Sequence, residues 1–166
     1  MDLFEAIESR ASVRAFVPAD VSEANLLKIA DAGRRAPSGG NRQPVQFILV
    51  RSAETLKALE RVQPCFATAS AAIGIVGDPS VSRWWLEDAA AAAENMLLAI
   101  RALGYASVWV EGTLLKEEAF AKTLLGIPAE KRFVILLPIG KAPQDTPQAD
   151  RKPLEDVIWR ERYGRK

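Results

Sequence analysis

The longest helix-forming stretch of the chain, WLEDAAAAAENMLLAIRALG at residues 85–104, constrains the fold more than any other feature. Its alanine, leucine and glutamate content predicts a helix of about five turns. Gly104 is typical of the residue that follows a helix C-terminus. Apolar side chains cover most of the circumference of this helix, so other parts of the protein must cover it on most sides. In a chain of 166 residues, we therefore expect the helix to lie at the centre of the fold or in a subunit interface.

Hydrophobic periodicity predicts shorter elements on both sides of this helix. We expect helices at residues 2–10, 22–33, 53–61 and 115–128, and strands at residues 45–50, 71–77, 106–110 and 132–140. The segment 140–153 is rich in proline and glutamine and is typical of an ordered arm or surface loop. We find no linker and no repeat, so residues 1–166 are expected to form a single domain. The alternation of helices and strands, taken alone, favours an α/β fold with a mostly parallel sheet.

Charge and hydropathy exclude several classes of partner. The net charge of +1 creates no global field that would recruit nucleic acid or an anionic membrane. No apolar run approaches the length of a membrane span, and the acidic start MDLFEAIESR does not resemble a targeting peptide. We therefore expect a cytoplasmic protein with neither a nucleic-acid partner nor a membrane partner.

Two absences narrow the chemistry. The chain has no histidine, which excludes Ser-His-Asp and Cys-His catalysis and every metal site that uses histidine. Its single cysteine, Cys65, excludes an internal disulfide and a thiolate metal cluster, and its apolar neighbours favour a buried thiol. No dinucleotide fingerprint or P-loop follows a predicted strand. An enzyme with this sequence would depend on a bound cofactor, and we predict no metal site and no catalytic side chain.

The stretch RASVRAF at residues 10–16 places two guanidinium groups and a hydroxyl at alternate positions. Alternate residues of an extended segment point the same way, so Arg10, Ser12 and Arg14 can converge on one ligand. Arginine binds phosphate through paired hydrogen bonds, and a serine hydroxyl can donate one more. Arg151 can add a third cation if the fold brings it close. A solvated basic turn is the alternative interpretation of this stretch.

Four segments, in this order along nearly the whole chain, resemble the nitroreductase-like FMN-dependent oxidoreductases. They are RASVRAF (10–16), APSGGNRQPVQFILV (36–50), EDAAAAAENMLLAIRALGYASVWVEG (87–112) and RKPLEDVI (151–158). The sequence departs from the family pattern at Ala11, where a second basic residue is frequent, and at Val45, where tryptophan is usual. Each segment is weak evidence alone, and the four in order are strong evidence.

The resemblance implies a set of residues that bind FMN. Arg10, Ser12 and Arg151 would hold the phosphate, and Arg14 would reach either the phosphate side or the N1/O2 edge of the ring. Glu111 and Gly112 would direct backbone N–H groups at flavin N5 and O4. The full cofactor-binding set is Arg10, Ala11, Ser12, Arg14, Pro37, Ser38, Gly39, Asn41, Glu111, Gly112 and Arg151.

The resemblance implies less direct roles for two other segments. Pro37, Ser38 and Gly39 would come from the partner subunit and lie against the ring, while Asn41 and Gln43 would mainly shape that loop. The family contact to the flavin pyrimidine edge has no clear match in RVQPCFATAS (61–70), where Gln63 or Thr68 are the candidates.

The resemblance also implies a fold and an activity. The fold would be α+β, with a mixed, mostly antiparallel central sheet surrounded by helices, a long central helix and a C-terminal arm that reaches the partner subunit. The protein would be a homodimer with FMN at the subunit interface. NADH or NADPH would deliver hydride to flavin N5, and a nitroaromatic, quinone or free flavin would then take the electrons in a ping-pong reaction. The alternatives are a flavin carrier without turnover, and a flavoenzyme of the same fold that performs dehalogenation or flavin fragmentation.

Overall fold

The computed structural model describes residues 1–165, which form seven α-helices and four β-strands. The helices are α1 (Leu3–Ser9), α2 (Glu23–Arg34), α3 (Ala53–Leu59), α4 (Trp85–Ala102), α5 (Gly112–Lys116), α6 (Glu118–Leu125) and α7 (Leu154–Val157). The strands are β1 (Val45–Val50), β2 (Ala71–Gly77), β3 (Ala106–Ser107) and β4 (Arg132–Gly140). Short 3₁₀ turns occupy Gly39–Asn41 and Pro64–Ala67.

The four strands form one sheet in the order β1-β2-β4-β3, and every pairing between neighbouring strands is antiparallel. The α/β interpretation with a mostly parallel sheet is therefore wrong. Helix α3 and the turn after it lead the chain back so that β2 lies beside β1 and runs antiparallel to it. The α+β class implied by the family resemblance is confirmed. A parallel bridge between Ser12 and Ser107 adds the amino-terminal segment to the edge of the sheet and gives it its mixed character.

Helices cover both faces of the sheet, so its central strands are apolar along their whole length. On one face, α2 and α4 pack against Ile73, Ile75 and Ile135. On the other face, α3, α5 and α6 pack against the side that carries Phe133 and Leu136. This double coverage explains why residues 71–77 and 133–140 are fully buried and were predictable as continuous apolar runs.

Helix α4 lies at the centre of the fold, as its composition predicts. Its C-terminus is closed by Gly104, whose φ is +79°, with hydrogen bonds from Gly104 N–H to the Arg101 carbonyl (2.9 Å) and from Tyr105 N–H to the Ile100 carbonyl (3.0 Å). Helix α2 approaches closely at Gly33, where an added Cβ would lie 2.3 Å from the Met96 side chain. The opposite side of α4 is less covered.

Three segments differ from the sequence-based expectation. The helix predicted at 115–128 is two helices, α5 and α6. They are separated at Glu117, whose φ of −114° departs from helical geometry and whose carboxylate accepts from Arg61 (2.8 Å). The strand predicted at 106–110 is limited to β3, and only Val110 returns to the sheet, through a bridge to Leu136. The segment from 141 onward is mostly exposed and includes α7, which periodicity did not indicate. Within residues 1–165, no helix combines the length and apolarity needed to cross a membrane.

Candidate functional site

The amino-terminal cationic segment lies beside α4 and under the C-terminal arm. The arm is fixed there by Gln148, whose side-chain amide donates to the carbonyls of Ile7 and Arg10 (both 3.0 Å). The Arg10 guanidinium lies 3.9 Å from the Glu94 carboxylate of α4, and its side chain is largely buried. Ser12 and Arg14 are exposed. The segment thus differs from a solvated basic turn, because α4 and the arm hold it at Arg10. Ser12 and Arg14 remain accessible to a ligand.

A cavity of about 300 Å³ opens between this segment, the end of α4 and the arm. We call it the basic cavity, because three of the residues that line it are cationic: Arg10, Arg101 and Lys141. Asp145 of the arm is the carboxylate in its lining, and Ala11 lines it as well. The balance of charge at this cavity favours an anionic ligand.

A second cavity, of about 360 Å³, lies where the chain leaves β3 and enters α5. We call it the strand-end cavity; Arg14, Gln63, Trp109, Glu111 and Gly112 are among its lining residues. The Trp109 indole N–H donates to the Glu111 carboxylate (2.8 Å), which holds that side chain beside the strand.

The backbone at the strand-end cavity is open to a ligand. Among residues 1–165, and apart from its own helix and chain neighbours, a Cβ added at Gly112 would meet no atom within 4 Å. Within residues 1–165, the N–H groups of Glu111 and Gly112 donate to no carbonyl or side chain, as expected for the first turn of a helix. The cavity therefore combines a cation, Arg14, with two unpaired backbone donors.

The loop of residues 37–43 lies against a third cavity, of about 320 Å³, which we call the loop cavity; Pro37 and Ser38 line it. Gly39 N–H donates to the buried carboxylate of Asp88 on α4 (3.0 Å), and Gly39 lies so close to the Trp84 ring that an added Cβ would come within 2.6 Å of it. The loop conformation is therefore fixed from α4.

Asn41 and Gln43 contribute to the shape of this loop. Both have positive φ, +55° and +51°, and the Gln43 amide donates to the Asn41 carbonyl (3.4 Å). The Ser38 hydroxyl accepts from Gln43 N–H (3.0 Å). The Gln43 amide therefore bonds within the loop, whereas Asn41 takes part through its backbone carbonyl.

The structure groups the predicted residues into separate sites and does not bring them all together in one chain. Arg10 and Ala11 belong to the basic cavity, and Arg14, Glu111 and Gly112 belong to the strand-end cavity. Pro37 and Ser38 belong to the loop cavity. Arg151 lines none of these three cavities of the described chain; its guanidinium donates to the nearby carbonyls of Ala149 (2.9 Å) and Asp150 (3.4 Å).

The two candidates for the pyrimidine edge are separated by their contacts. Gln63 lines the strand-end cavity, and its side-chain oxygen accepts from the Thr113 hydroxyl (3.1 Å). The Thr68 hydroxyl is used inside the fold, where it accepts from Phe16 N–H (3.1 Å). Gln63 is therefore the candidate that lies at the same cavity as Arg14, Glu111 and Gly112.

Sequence reasoning missed Arg101, Ser107 and Lys141. In the sequence, Arg101 has the features of an ordinary cation in the last turn of a helix. Ser107 has the features of a small residue in a strand. Only the tertiary contacts of α4, β3 and the arm bring them to the cavity that holds Arg10. No local pattern in the sequence could have identified them.

Cys65 is a structural residue. It is buried in the core beside Phe66, and burial raises the pKa of its thiol to about 11. The thiolate is therefore scarce at neutral pH, and the interpretation of Cys65 as a buried thiol agrees with its surroundings.

Comparisons with known proteins agree with this architecture. The nitroreductase family model matches residues 7–74 and 63–141. A protein of Archaeoglobus fulgidus, assigned as an NADH dehydrogenase/NAD(P)H nitroreductase, is 36% identical over 173 residues, which span 98% of this chain and 99% of the relative.

Two solved structures share the fold over almost their whole length. One, from Parabacteroides distasonis and also assigned as an NADH dehydrogenase/NAD(P)H nitroreductase, superposes with a TM-score of 0.88 at 25% identity, covering 97% of this chain and 98% of the other. The second, from Desulfovibrio desulfuricans, is assigned as a nitroreductase and was solved in complex with FMN; its TM-score is 0.83 at 29% identity, with 98% of each chain covered. The family model and the curated relative together establish that this chain belongs to the nitroreductase family.

Proposed function

We propose that the protein is an FMN-dependent oxidoreductase that uses NADH or NADPH as its electron source. The observation that carries the proposal is the strand-end cavity, where Arg14 and the unpaired N–H groups of Glu111 and Gly112 surround open space. The printed names of the relatives support it, because one relative is a NAD(P)H nitroreductase by name and one solved structure contains FMN.

The residues at the strand-end cavity fit the ring of FMN. Gly112 leaves room for close approach of a flat ligand, since no atom lies within 4 Å of the position where a Cβ would be. The N–H groups of Glu111 and Gly112 would donate to the N5 and O4 positions. Arg14 lines this cavity and not the basic cavity, so we assign it to the N1/O2 edge, where a cation stabilises the anionic reduced ring. Gln63 would contact the pyrimidine edge.

The phosphate end of FMN is assigned to Arg10, Ala11 and Ser12, with Arg151 of the arm. Arg10 lies at the basic cavity, and the Ser12 backbone pairs with β3 beside it. Arg151 is exposed and is bound only by neighbouring carbonyls, so its guanidinium can move to a phosphate at little cost.

A homodimer completes the proposed site. Pro37 and Ser38 line a cavity of their own, away from the strand-end cavity. A second chain would bring this loop, including Gly39, Asn41 and Gln43, to the ring. Exposed apolar side chains at both chain ends, including Phe4 (72%) and Leu154 (68%), provide surface for such a partner. Residues 1–166 would act as one domain in the cytoplasm.

When bound, FMN would accept hydride at N5 from the nicotinamide and pass electrons to an acceptor such as a nitroaromatic, quinone or free flavin. The side chains bind and orient the two substrates and balance the charge of the ring through Arg14. No side chain of this chain has to exchange a proton in that scheme, which suits a protein without histidine.

Visible absorption of the purified protein, before and after addition of FMN, tests the proposal. We expect a yellow dimeric protein that loses its flavin absorbance when NADH or NADPH is added without oxygen. Arg10→Ala should weaken FMN retention about 10-fold or more, because a charged hydrogen bond contributes about 1.5–3 kcal/mol. Arg51→Ala, at an exposed position directly after β1 and outside the lining of the basic and strand-end cavities, is the matched control.

Two results would reject the proposal. A monomer that stays colourless in excess FMN would exclude flavin binding altogether. A yellow protein that neither NADH nor NADPH bleaches would indicate a flavin carrier.

A further inference from the structure

We propose that Arg101 and Ser107 bind the FMN phosphate in the basic cavity, together with Arg10. The proposal rests on the proposed function and extends its phosphate site from the amino-terminal segment onto α4 and β3. Both residues lie within the segment 87–112 that resembles the family, but neither belongs to the FMN-binding set that the resemblance implies.

Arg101 is held in place but has no anionic partner. Its Nε donates to the Ser9 hydroxyl (2.9 Å), and that hydroxyl donates in turn to the Glu5 carbonyl (2.5 Å). Within residues 1–165, Arg101 makes no ion pair with a carboxylate, although its side chain is half-buried. The contact through Nε leaves both Nη groups of Arg101 available to a ligand. A partly buried guanidinium that is oriented and unpaired is suited to bind phosphate.

Ser107 carries an unsatisfied hydroxyl in the same place. The residue is 4% exposed and lines the basic cavity, and its buried Oγ has no hydrogen-bond partner among residues 1–165. Leaving a buried polar group unpaired costs about 1–3 kcal/mol, so such groups usually mark a missing partner. Ser107 also pairs through its backbone with Ser12, which the proposed function already assigns to the phosphate. The two serines are therefore neighbours on adjacent strands.

The charges around the cavity fit a phosphomonoester. Arg10, Arg101 and Lys141 line it, against the carboxylate of Asp145, and Glu94 lies 3.9 Å from Arg10. A phosphomonoester carries about −1.5 to −2 charges at neutral pH and offers three acceptor oxygens. Arg10, Arg101 and the Ser107 hydroxyl supply donors from three different elements, so the phosphate would join α4, β3 and the amino-terminal segment.

The test compares FMN with riboflavin, which has the same ring without the phosphate. Binding of each to the apoprotein is measured by quenching of flavin fluorescence, for the parent protein and for Arg101→Gln and Ser107→Ala. We expect Arg101→Gln to weaken FMN binding about 10-fold or more and Ser107→Ala several-fold, with riboflavin affinity unchanged in both. Arg51→Gln, at an exposed residue that does not line the cavity, should leave both affinities unchanged.

Ser107→Ala has a second readout that a structural role would not produce. Because the substitution removes an unpaired buried hydroxyl, the apoprotein should unfold at the same temperature as the parent or a higher one. Lower FMN affinity together with undiminished apoprotein stability is the expected combination.

Three outcomes would overturn the inference. Arg101→Gln could leave FMN affinity unchanged, it could weaken FMN and riboflavin equally, or it could alter only the KM for NADPH relative to NADH. In each of these cases the proposed function stands as long as the parent protein binds FMN and Arg10→Ala weakens that binding. If the parent protein binds no FMN, the proposed function fails and this inference fails with it.

Discussion

Strand β4 and helix α7 both carry large apolar side chains, but those of β4 are buried and those of α7 are exposed. Phe133, Ile135 and Leu137 of β4 are 0% exposed, whereas Leu154 and Val157 of α7 are 68% and 56% exposed. Helices cover both sides of β4, while α7 extends from the arm into solvent. The amino-terminal end resembles α7 in this respect, since Leu3 and Phe4 of α1 are 60% and 72% exposed.

This contrast distinguishes apolar surface that a single chain covers from apolar surface that it leaves exposed. Helices of the same chain cover both apolar faces of the sheet. The two chain ends expose apolar side chains at the same time as they carry the cations assigned to the phosphate. We infer that the sheet with its covering helices determines the fold. The exposed chain ends are left for assembly and for the phosphate end of the proposed cofactor, whereas the ring is assigned to the strand-end cavity.

The largest expected effect is a loss of stability from a substitution in β4. Phe133→Ala should lower the free energy of unfolding by about 3–5 kcal/mol, because the ring is fully buried and its loss leaves a cavity. Gly74 on β2 leaves room for this ring; a Cβ there would lie 2.7 Å from it. Urea unfolding of the two proteins measures the difference.

Phe4→Ala is the matched control, since the same truncation at an exposed ring should cost the monomer almost nothing. Similar losses of stability for the two variants would show that α1 is part of the core and would break the comparison.

The next effect concerns the chain ends. Leu154→Asp should weaken the proposed dimer about 10-fold or more, because burial of a leucine contributes about 1.5–3 kcal/mol. Sedimentation velocity across a range of concentrations measures it, and the urea midpoint of the monomer should be unchanged. Leu27→Asp, at a 54% exposed position on α2, is the control for a charge placed on an exposed leucine. A Leu154→Asp protein as dimeric as the parent would remove α7 from the interface.

The same contrast explains what the sequence could predict. The strands 45–50 and 71–77 and the helix that Gly104 terminates are encoded locally, by apolar runs and by glycine, and their bounds agree closely with the structure. The antiparallel order was not encoded locally; periodicity alone gave the wrong parallel sheet, and the order came from the family resemblance. For the site, the cations of residues 10–14 were predictable from their spacing. Arg101 and Ser107 were not, because only the packing of α4 and β3 brings them to Arg10.

A smaller effect depends on pH and lies at the edge of the sheet. The hydrogen bond from Lys131, reinforced by the Ser80 hydroxyl, lowers the pKa of Asp78 to about 2. A carboxyl whose pKa is lower in the folded state stabilises the protein above its unfolded pKa of 3.8 and loses that contribution as the pH falls towards 2. Urea midpoints measured from about pH 5 down to about pH 2 should therefore fall.

Asp78→Asn identifies the source of this pH dependence. The variant should be less stable at neutral pH and should show a flatter decline over the same pH range, because the titrating group is gone. An equally steep decline in Asp78→Asn would assign the effect to other carboxyls, such as Glu118, which binds Arg132 and Phe133 N–H.

The smallest effect is expected where the arm is attached. Gln148 donates to the carbonyls of Ile7 and Arg10 at the end of α1, where helix carbonyls lack partners within the helix. Gln148→Ala removes both bonds, each of which contributes about 0.5–1.5 kcal/mol net. If the arm is peripheral to the fold, the loss is local: amide hydrogen exchange should accelerate in residues 142–157, while exchange in β2 and β4 stays unchanged. Gln148→Glu, which keeps the length of the side chain but cannot donate, should behave in the same way. A global loss of protection in either variant would mean that the arm stabilises the sheet. The contrast between the buried sheet and the exposed chain ends would then no longer hold.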